Sequence, residues 1–211
     1  MSQRRASHHH RCDRCRINLY FCVCQHLIPL KATQTNVSLI VHVSELKLTS
    51  NSAQFVEKMN PASSQIFIRG RVNEPFSPKN ILQRSGRPLF LFPDENSLEL
   101  NDEFKNNFPG PYHLIIPDGS WTQARKVWAR EEAFRSIPTV KLPEGFLAEY
   151  KLRKAPRPDW VSTYEATAYA LGILENQNIK DDMMSFFRKW VESTLAARSG
   201  DFSSVLKKEK V

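Results

Sequence analysis

The chain has 211 residues, 41% of them apolar and 25% charged, enough to build a core and too apolar for a disordered polymer. Lys and Arg number 30 against 22 acids, a net charge of +8 that points to a polyanionic partner. No apolar run approaches the ~18 residues of a bilayer span, and the opening MSQRRASHHHRCDRC lacks the apolar segment of a secretory signal. The expectation is a cytoplasmic protein with reduced cysteines, no membrane contact and no obligate protein partner.

Residues 1–31 stand apart. They hold all four cysteines and six basic residues, Arg4, Arg5, Arg11, Arg14, Arg16 and Lys31, against Asp13 alone. Such a segment buries little apolar surface unaided and needs a staple. The main domain is expected over 36–200, with a basic tail at 201–211. Within it, 36–43 (NVSLIVHV) reads as a buried strand and 50–59 as a helix capped by Ser50 or Asn51. A short strand at 65–69, a helical turn at 78–84 and a strand at 88–92 (PLFLF) follow. Residues 94–110 are polar and ambiguous. The run 112–116 (YHLII) is a strand closed by Pro117, 120–134 one helix, and 138–142 a strand. The prolines at 143, 156 and 158 make 143–160 an irregular loop. Helices are expected at 161–177 and 181–197, the second from Met184, Phe187, Val191 and Leu195 at helical spacing.

Strands alternating with helices imply an α/β fold with a mainly parallel sheet, whose ligands sit beyond the carboxyl ends of strands. Two places fit: 116–120 and the loop 143–160 that feeds the helix at 161. Glycines are few and scattered, so neither a G-x-G-x-x-G fingerprint nor a P-loop is present.

Cys12, Cys15, Cys22 and Cys24 form C-x2-C-x6-C-x-C, four soft thiolates at the spacing of a tetrahedral structural zinc. An iron–sulfur cluster, a disulfide pair and free thiols are the alternatives. In Asp118-Gly119-Ser120-Trp121, Ser120 and Gln123 make a capping box, and Trp121, Ala124 and Trp128 a buried stripe. Asp118 is explained by neither and points into the expected crevice, unless it serves the turn. Ser162 and Glu165 repeat the capping box, and the N–H groups behind Thr163 suit a carboxylate. His42 and Glu45 end the first strand, with Asn51 beyond. Basic groups at Arg125, Lys126 and Arg130, and at Lys151, Arg153, Lys154 and Arg157, flank the crevice as solvated faces or as phosphate contacts.

Together these segments resemble the DTW-domain family, the tRNA-uridine aminocarboxypropyltransferases. The cysteine pattern is similar to the family's N-terminal zinc element. His42, Glu45 and Ser50-Asn51-Ser52 are similar to its first-strand motif, Asp118-Gly119-Ser120-Trp121 to D-x-T-W, and Ser162-Thr163-Tyr164-Glu165-Ala166 to S-T-x-E-A. Ser120 stands where the family usually has Thr, keeping the hydroxyl. The resemblance implies a SPOUT-like fold with a knotted cofactor site, S-adenosyl-L-methionine as co-substrate and structural zinc. It implies transfer of the 3-amino-3-carboxypropyl group to N3 of a uridine in tRNA, with methylthioadenosine leaving. Asp118 is then the base or the group that orients the uracil, with Glu165 the second candidate. Pro117, Gly119, Ser120, Trp121, Ser162 and Thr163 would hold the cofactor. His42, Glu45, Asn51, Arg125, Lys126, Arg153 and Lys154 would meet the RNA. A methyltransferase acting on RNA and a non-catalytic zinc-containing RNA-binding adaptor are the rival readings.

Overall fold

The structure, a computed structural model, describes residues 11–153, 157 and 160–200. The tail at 201–211, Lys154 and the histidines at 8–10 therefore lie outside the described residues, as does the side chain of Trp121.

Six strands form one sheet: β1 Asn36–His42, β2 Ser64–Arg69, β3 Arg87–Leu91, β4 Leu98–Glu99, β5 Tyr112–Asp118 and β6 Thr139–Lys141. Their order is β2-β1-β5-β3-β6-β4, and every pairing is parallel. Among the described residues seven α-helices accompany them: α1 Ala53–Met59, α2 Pro78–Leu82, α3 Asp102–Asn107, α4 Trp121–Arg130, α5 Glu132–Arg135, α6 Thr163–Leu174 and α7 Gln177–Ser199. The mainly parallel α/β sheet expected from the sequence is the fold observed.

Strand alternation divides the interior in two. Val37, Leu39, Val41, Leu114 and Ile116 face one core, shared with α1, α6 and α7. Ile40, Phe90 and Ile115 face the other, with Ile81, Ala124, Val127 and Phe134. The first core is aromatic. Phe55 and Trp190 lie with ring centroids 4.8 Å apart, and Tyr164 stacks on Phe187 at 5.1 Å. Each fully buried ring of this kind contributes ~1.5–3 kcal/mol of transfer free energy, which fixes α6 and α7 behind the sheet.

β5 runs through Pro117 to Asp118, beyond the end expected at 116. The reason is local. The β3–β5 pairing stops at Phe90 and Ile115, while β1 still accompanies β5 to Asp118. Beyond Ile115 one side of β5 is an edge, where proline is tolerated. The same divergence opens a crevice between the ends of β3 and β5.

The single helix expected over 120–134 is two. Glu131 is extended (φ −93°, ψ 94°), ends α4, and bonds Arg69 at 3.1 Å. α5 then turns Phe134 into the second core against Phe90, centroids 5.4 Å apart. β4 and α3 occupy the stretch read as ambiguous; Asn101 caps α3 by accepting from the N–H of Phe104 at 2.8 Å. α7 begins at Gln177, earlier than expected, because Asn176 caps it.

The N-terminal segment is stapled into the main body. Cys15, Ile17, Phe21, Val23 and Leu27 are buried in the first core. The Arg16 guanidinium donates to the carbonyl of Leu46, and Lys58 to that of Arg14. Among the described residues no helix is long and apolar enough to cross a membrane.

Candidate active site

The strands' carboxyl ends converge on a cleft of about 1430 Å³. Its floor is the end of β5. One wall is the loop after β3, Leu91 to Glu95; another is the loop after β6, Lys141 to Phe146. Asn51 and Ser52 close it from the α1 side, and Val161, Ser162 and Thr163 from the start of α6.

Asp118 sits where these elements meet, 8% exposed. It accepts hydrogen bonds from Asn51 Nδ2 at 2.9 Å on one oxygen and from Thr163 Oγ1 at 2.6 Å on the other. Each oxygen retains a lone pair for a further donor. Burial pushes its pKa up and the nearby charge of Glu45 adds to this, while the bonds from Thr163 and Asn51 and the charge of Arg153 pull it down; the net direction is upward. The group is thus a buried acid whose proton is held more tightly than in water, in a cleft, with two fixed orienting donors.

Gly119 follows at φ +141°, and a Cβ there would lie 2.7 Å from Gln123 Oε1. That oxygen accepts from the N–H of Ser120 at 2.7 Å, while Ser120 Oγ accepts from the N–H of Gln123 at 3.3 Å. The capping box read from the sequence is present, and it explains why glycine separates the acid from the helix. Ser162 and Glu165 form the second box. Glu165 is 0% exposed; its carboxylate accepts from the N–H of Ser162 at 2.7 Å and from that of Glu149 at 2.6 Å. It lies behind the cleft wall rather than in it, an anchor that ties the stretch at Glu149 to α6. Its pKa is raised by burial against the pull of those N–H groups.

The loop is clasped on its other side as well. The Tyr150 hydroxyl donates to the carbonyl of Ser50. Arg153 donates to Ser50 Oγ at 3.0 Å and to Glu45 at 2.7 Å. Burial pushes the Tyr150 phenol up to about 12, so it remains a donor at any physiological pH.

Of the residues singled out in the sequence, the structure brings Glu45, Asn51, Pro117, Asp118, Gly119, Ser120, Arg125, Arg153, Ser162 and Thr163 to this one cleft. His42 and Lys126 instead line a smaller cavity, of which Asp118 is also part. The reading missed Leu91 to Glu95, whose only sequence signal is a proline directly after a buried strand, Pro93, which marks a strand end but not what gathers there. Pro143 to Phe146 belong to the loop 143–160 that the sequence marked as a ligand-facing segment, and they line the cleft.

The four cysteines cluster with their sulfurs within 4.8 Å of one another, Cys12 to Cys24 at 3.6 Å and Cys15 to Cys22 at 3.7 Å. A tetrahedron of Zn–S bonds of about 2.3 Å has edges of about 3.8 Å, so the donor set fits a metal. Burial raises the Cys15 and Cys24 thiols. At Cys12 the same burial is outweighed by backbone and thiol hydrogen bonds, leaving it near 7. Cys12 thus ionises readily, while Cys15 and Cys24 need a cation to do so.

The DTW domain family matches residues 9–195. The chain belongs to that family. Curated relatives of this DTW domain include tRNA-uridine aminocarboxypropyltransferase 2 of Drosophila melanogaster, 26% identical over 79% of this chain and 67% of the relative. The Macaca fascicularis protein of the same name is 28% identical over 79% of this chain and 57% of its own length. In Arabidopsis thaliana, tRNA-uridine aminocarboxypropyltransferase A is 26% identical over 90% and 84%. This DTW domain therefore spans little more than half of the macaque relative. Among solved structures, the SAM-dependent rRNA:acp-transferase Tsr3 from Vulcanisaeta distributa aligns with 83% of this chain and 90% of its own, at TM-score 0.44 and 16% identity.

Proposed function

We propose that this DTW domain transfers the 3-amino-3-carboxypropyl group of S-adenosyl-L-methionine to N3 of a uridine in tRNA. The observation that carries the reading is the meeting of Asp118 and Thr163 at 2.6 Å on the floor of one large cleft. The names of the relatives support it. The cleft fits the co-substrate in size and character. Leu91, Phe92, Leu142 and Phe146 give an apolar wall for a purine, and Asp94, Glu95 and Glu144 an acidic edge for a cationic sulfonium. Arg125, Arg153 and Arg157 add basic groups to the same lining, suited to a carboxylate or an RNA phosphate.

When bound, S-adenosylmethionine supplies an electrophilic carbon, and the N3–carbon bond forms as the sulfur–carbon bond breaks and methylthioadenosine leaves. The chain's residues do the rest. Asp118, held by Asn51 and Thr163, accepts the proton from uracil N3, and its raised affinity for protons matches that task. Arg153 neutralises Glu45, so the floor does not carry two uncompensated charges. The clasped loop 143–153 excludes water and fixes which carbon of the donor meets the nucleophile. Cys12, Cys15, Cys22 and Cys24 hold zinc as a structural ion, since four thiolates leave no open position.

The test is incubation of the protein with unmodified tRNA and S-adenosylmethionine, followed by nucleoside mass analysis. An aminocarboxypropyl adduct on uridine is expected. A methyl adduct would replace the reading with methyl transfer, and cofactor-free RNA binding without product would leave an adaptor.

A further inference from the structure

We infer that a second, basic cavity behind Asp118 is a seat for a phosphodiester of the RNA strand that presents the uridine. The inference rests on the transferase reading and adds the placement of the strand. The cavity holds about 230 Å³ and is lined by His42, Arg69, Asp118, Gln123, Lys126 and Arg130, with Ile40 and Val127 as its apolar base.

Three elements build it. Register pairs His42 with Arg69 at the ends of β1 and β2, so both side chains leave the same face of the sheet. Gln123, Lys126, Val127 and Arg130 follow i, i+3, i+4, i+7 and form one face of α4 above them. Asp118 is in register with Val41 and turns its carboxylate to the other face, where Asn51 and Thr163 hold it. The cavity thus presents cations while the acid it borders faces away.

The charges favour an anion. Arg69 is paired with Glu131, at 3.1 Å. Among the described residues no carboxylate pairs with Lys126 or Arg130, and both are exposed. His42 adds a donor. Its Nδ1 meets Ser44, the N–H at 3.3 Å and Oγ at 2.7 Å, which leaves the Nε2 edge to donate toward the cavity. Room for that edge exists because residue 70 is glycine; a Cβ there would lie 2.7 Å from Nε2. Two exposed cations, a ring N–H and the spare amide of Gln123 match the several acceptor oxygens of a phosphate. Because Asp118 borders both spaces, a phosphate seated here belongs to the nucleotide whose base enters the cleft or to its neighbour.

The experiment measures binding of unmodified tRNA to the full chain by fluorescence anisotropy over a salt series, without S-adenosylmethionine. Lys126→Ala/Arg130→Ala should weaken binding and flatten the plot of log K against log salt by about 1.4, at about 0.7 for each lost contact to a single strand. Lys126→Arg/Arg130→Lys should restore the slope. Lys79→Ala/Lys189→Ala, two exposed cations elsewhere, should leave it unchanged. An unchanged slope in the first variant, or an equal loss in the last, overturns the proposal. Protection by inorganic phosphate that depends on Lys126 and Arg130, without any change in the tRNA slope, overturns it in favour of a small-anion site. Product formed by the wild type with no slope change would sink the seat and spare the transferase; a slope change without product would do the reverse.

Discussion

Replacing Asp118 by asparagine separates chemistry from architecture. An amide can keep both existing bonds. Its oxygen accepts from Asn51, whose own oxygen already accepts from the N–H of Gln54 at 3.1 Å and so fixes which end donates. Its NH₂ donates to the Thr163 hydroxyl, which can turn to accept. The loss is charge assistance, about 1 kcal/mol for each of the two bonds. The gain is removal of a buried charge, which costs several kcal/mol before its partners compensate. Asp118's own acidity reports the balance: burial, with Glu45 adding, outweighs Thr163, Asn51 and Arg153 and raises the pKa. The ionised acid is therefore held less well in the fold than in water. Its contribution to stability is fully present below the unfolded value of about 3.9 and is lost as pH rises through the raised folded value. Asp118→Asn should then equal or exceed the wild type in stability at neutral pH, with a gap that opens as pH rises from about 4 and levels off once pH has passed the raised folded value. Turnover should fall by about 10²–10⁴. Urea unfolding across pH 4–8, run beside nucleoside mass analysis, measures both. A variant about 2 kcal/mol less stable at neutral pH with normal turnover would make Asp118 a structural tie and refute the reasoning.

Thr163→Val removes the 2.6 Å donor to Asp118 while Ser162 keeps the helix cap; we expect a loss of about 1.5–3 kcal/mol in urea unfolding. Gly119→Ala forces a Cβ into the φ +141° turn against Gln123, and should cost about 1–3 kcal/mol by thermal unfolding, together with most of the activity. Cys22→Ser, or chelation of the wild type, should lower metal content and melting temperature together, read by atomic absorption and calorimetry. His113 is buried, and desolvation first and Arg84 second lower its pKa from 6.5 to about 4. Its contribution is present above pH 6.5 and is lost as pH falls toward 4, by about 3 kcal/mol at 1.36 kcal/mol per unit; His113→Gln should flatten that part of the pH profile.

The buried strands were legible because a parallel sheet covered on both faces writes itself as unbroken apolar runs, as in 36–43 and 112–116. Both capping boxes were legible because they are local, and so was the cysteine cluster. Asp118 could be singled out because the local rules that explained Ser120 left it over. What could not be read was set by long-range geometry. Pro117 suggested a strand end, yet the early parting of β3 from β5 lets the strand continue through it. Glu131 breaks an apparently continuous helix because its partner Arg69 lies 62 positions away in sequence. Glu165 read first as a capping residue and second as a candidate base; the N–H of Glu149, 16 positions upstream, takes up its second oxygen. The two-residue β4 falls below any periodicity the chain can display.

The N-terminal segment has no interior of its own. Cys15, Ile17, Phe21, Val23 and Leu27 sit in the core that α7 closes, and two bonds tie the segment to the chain on either side of Asn51: Arg16 donates to the carbonyl of Leu46, and Lys58 to that of Arg14. It cannot melt as a separate module, so calorimetry should record one cooperative transition rather than two. Cutting the segment away would unseat the stretch that carries Asn51, and so loosen the grip on the acid from a distance.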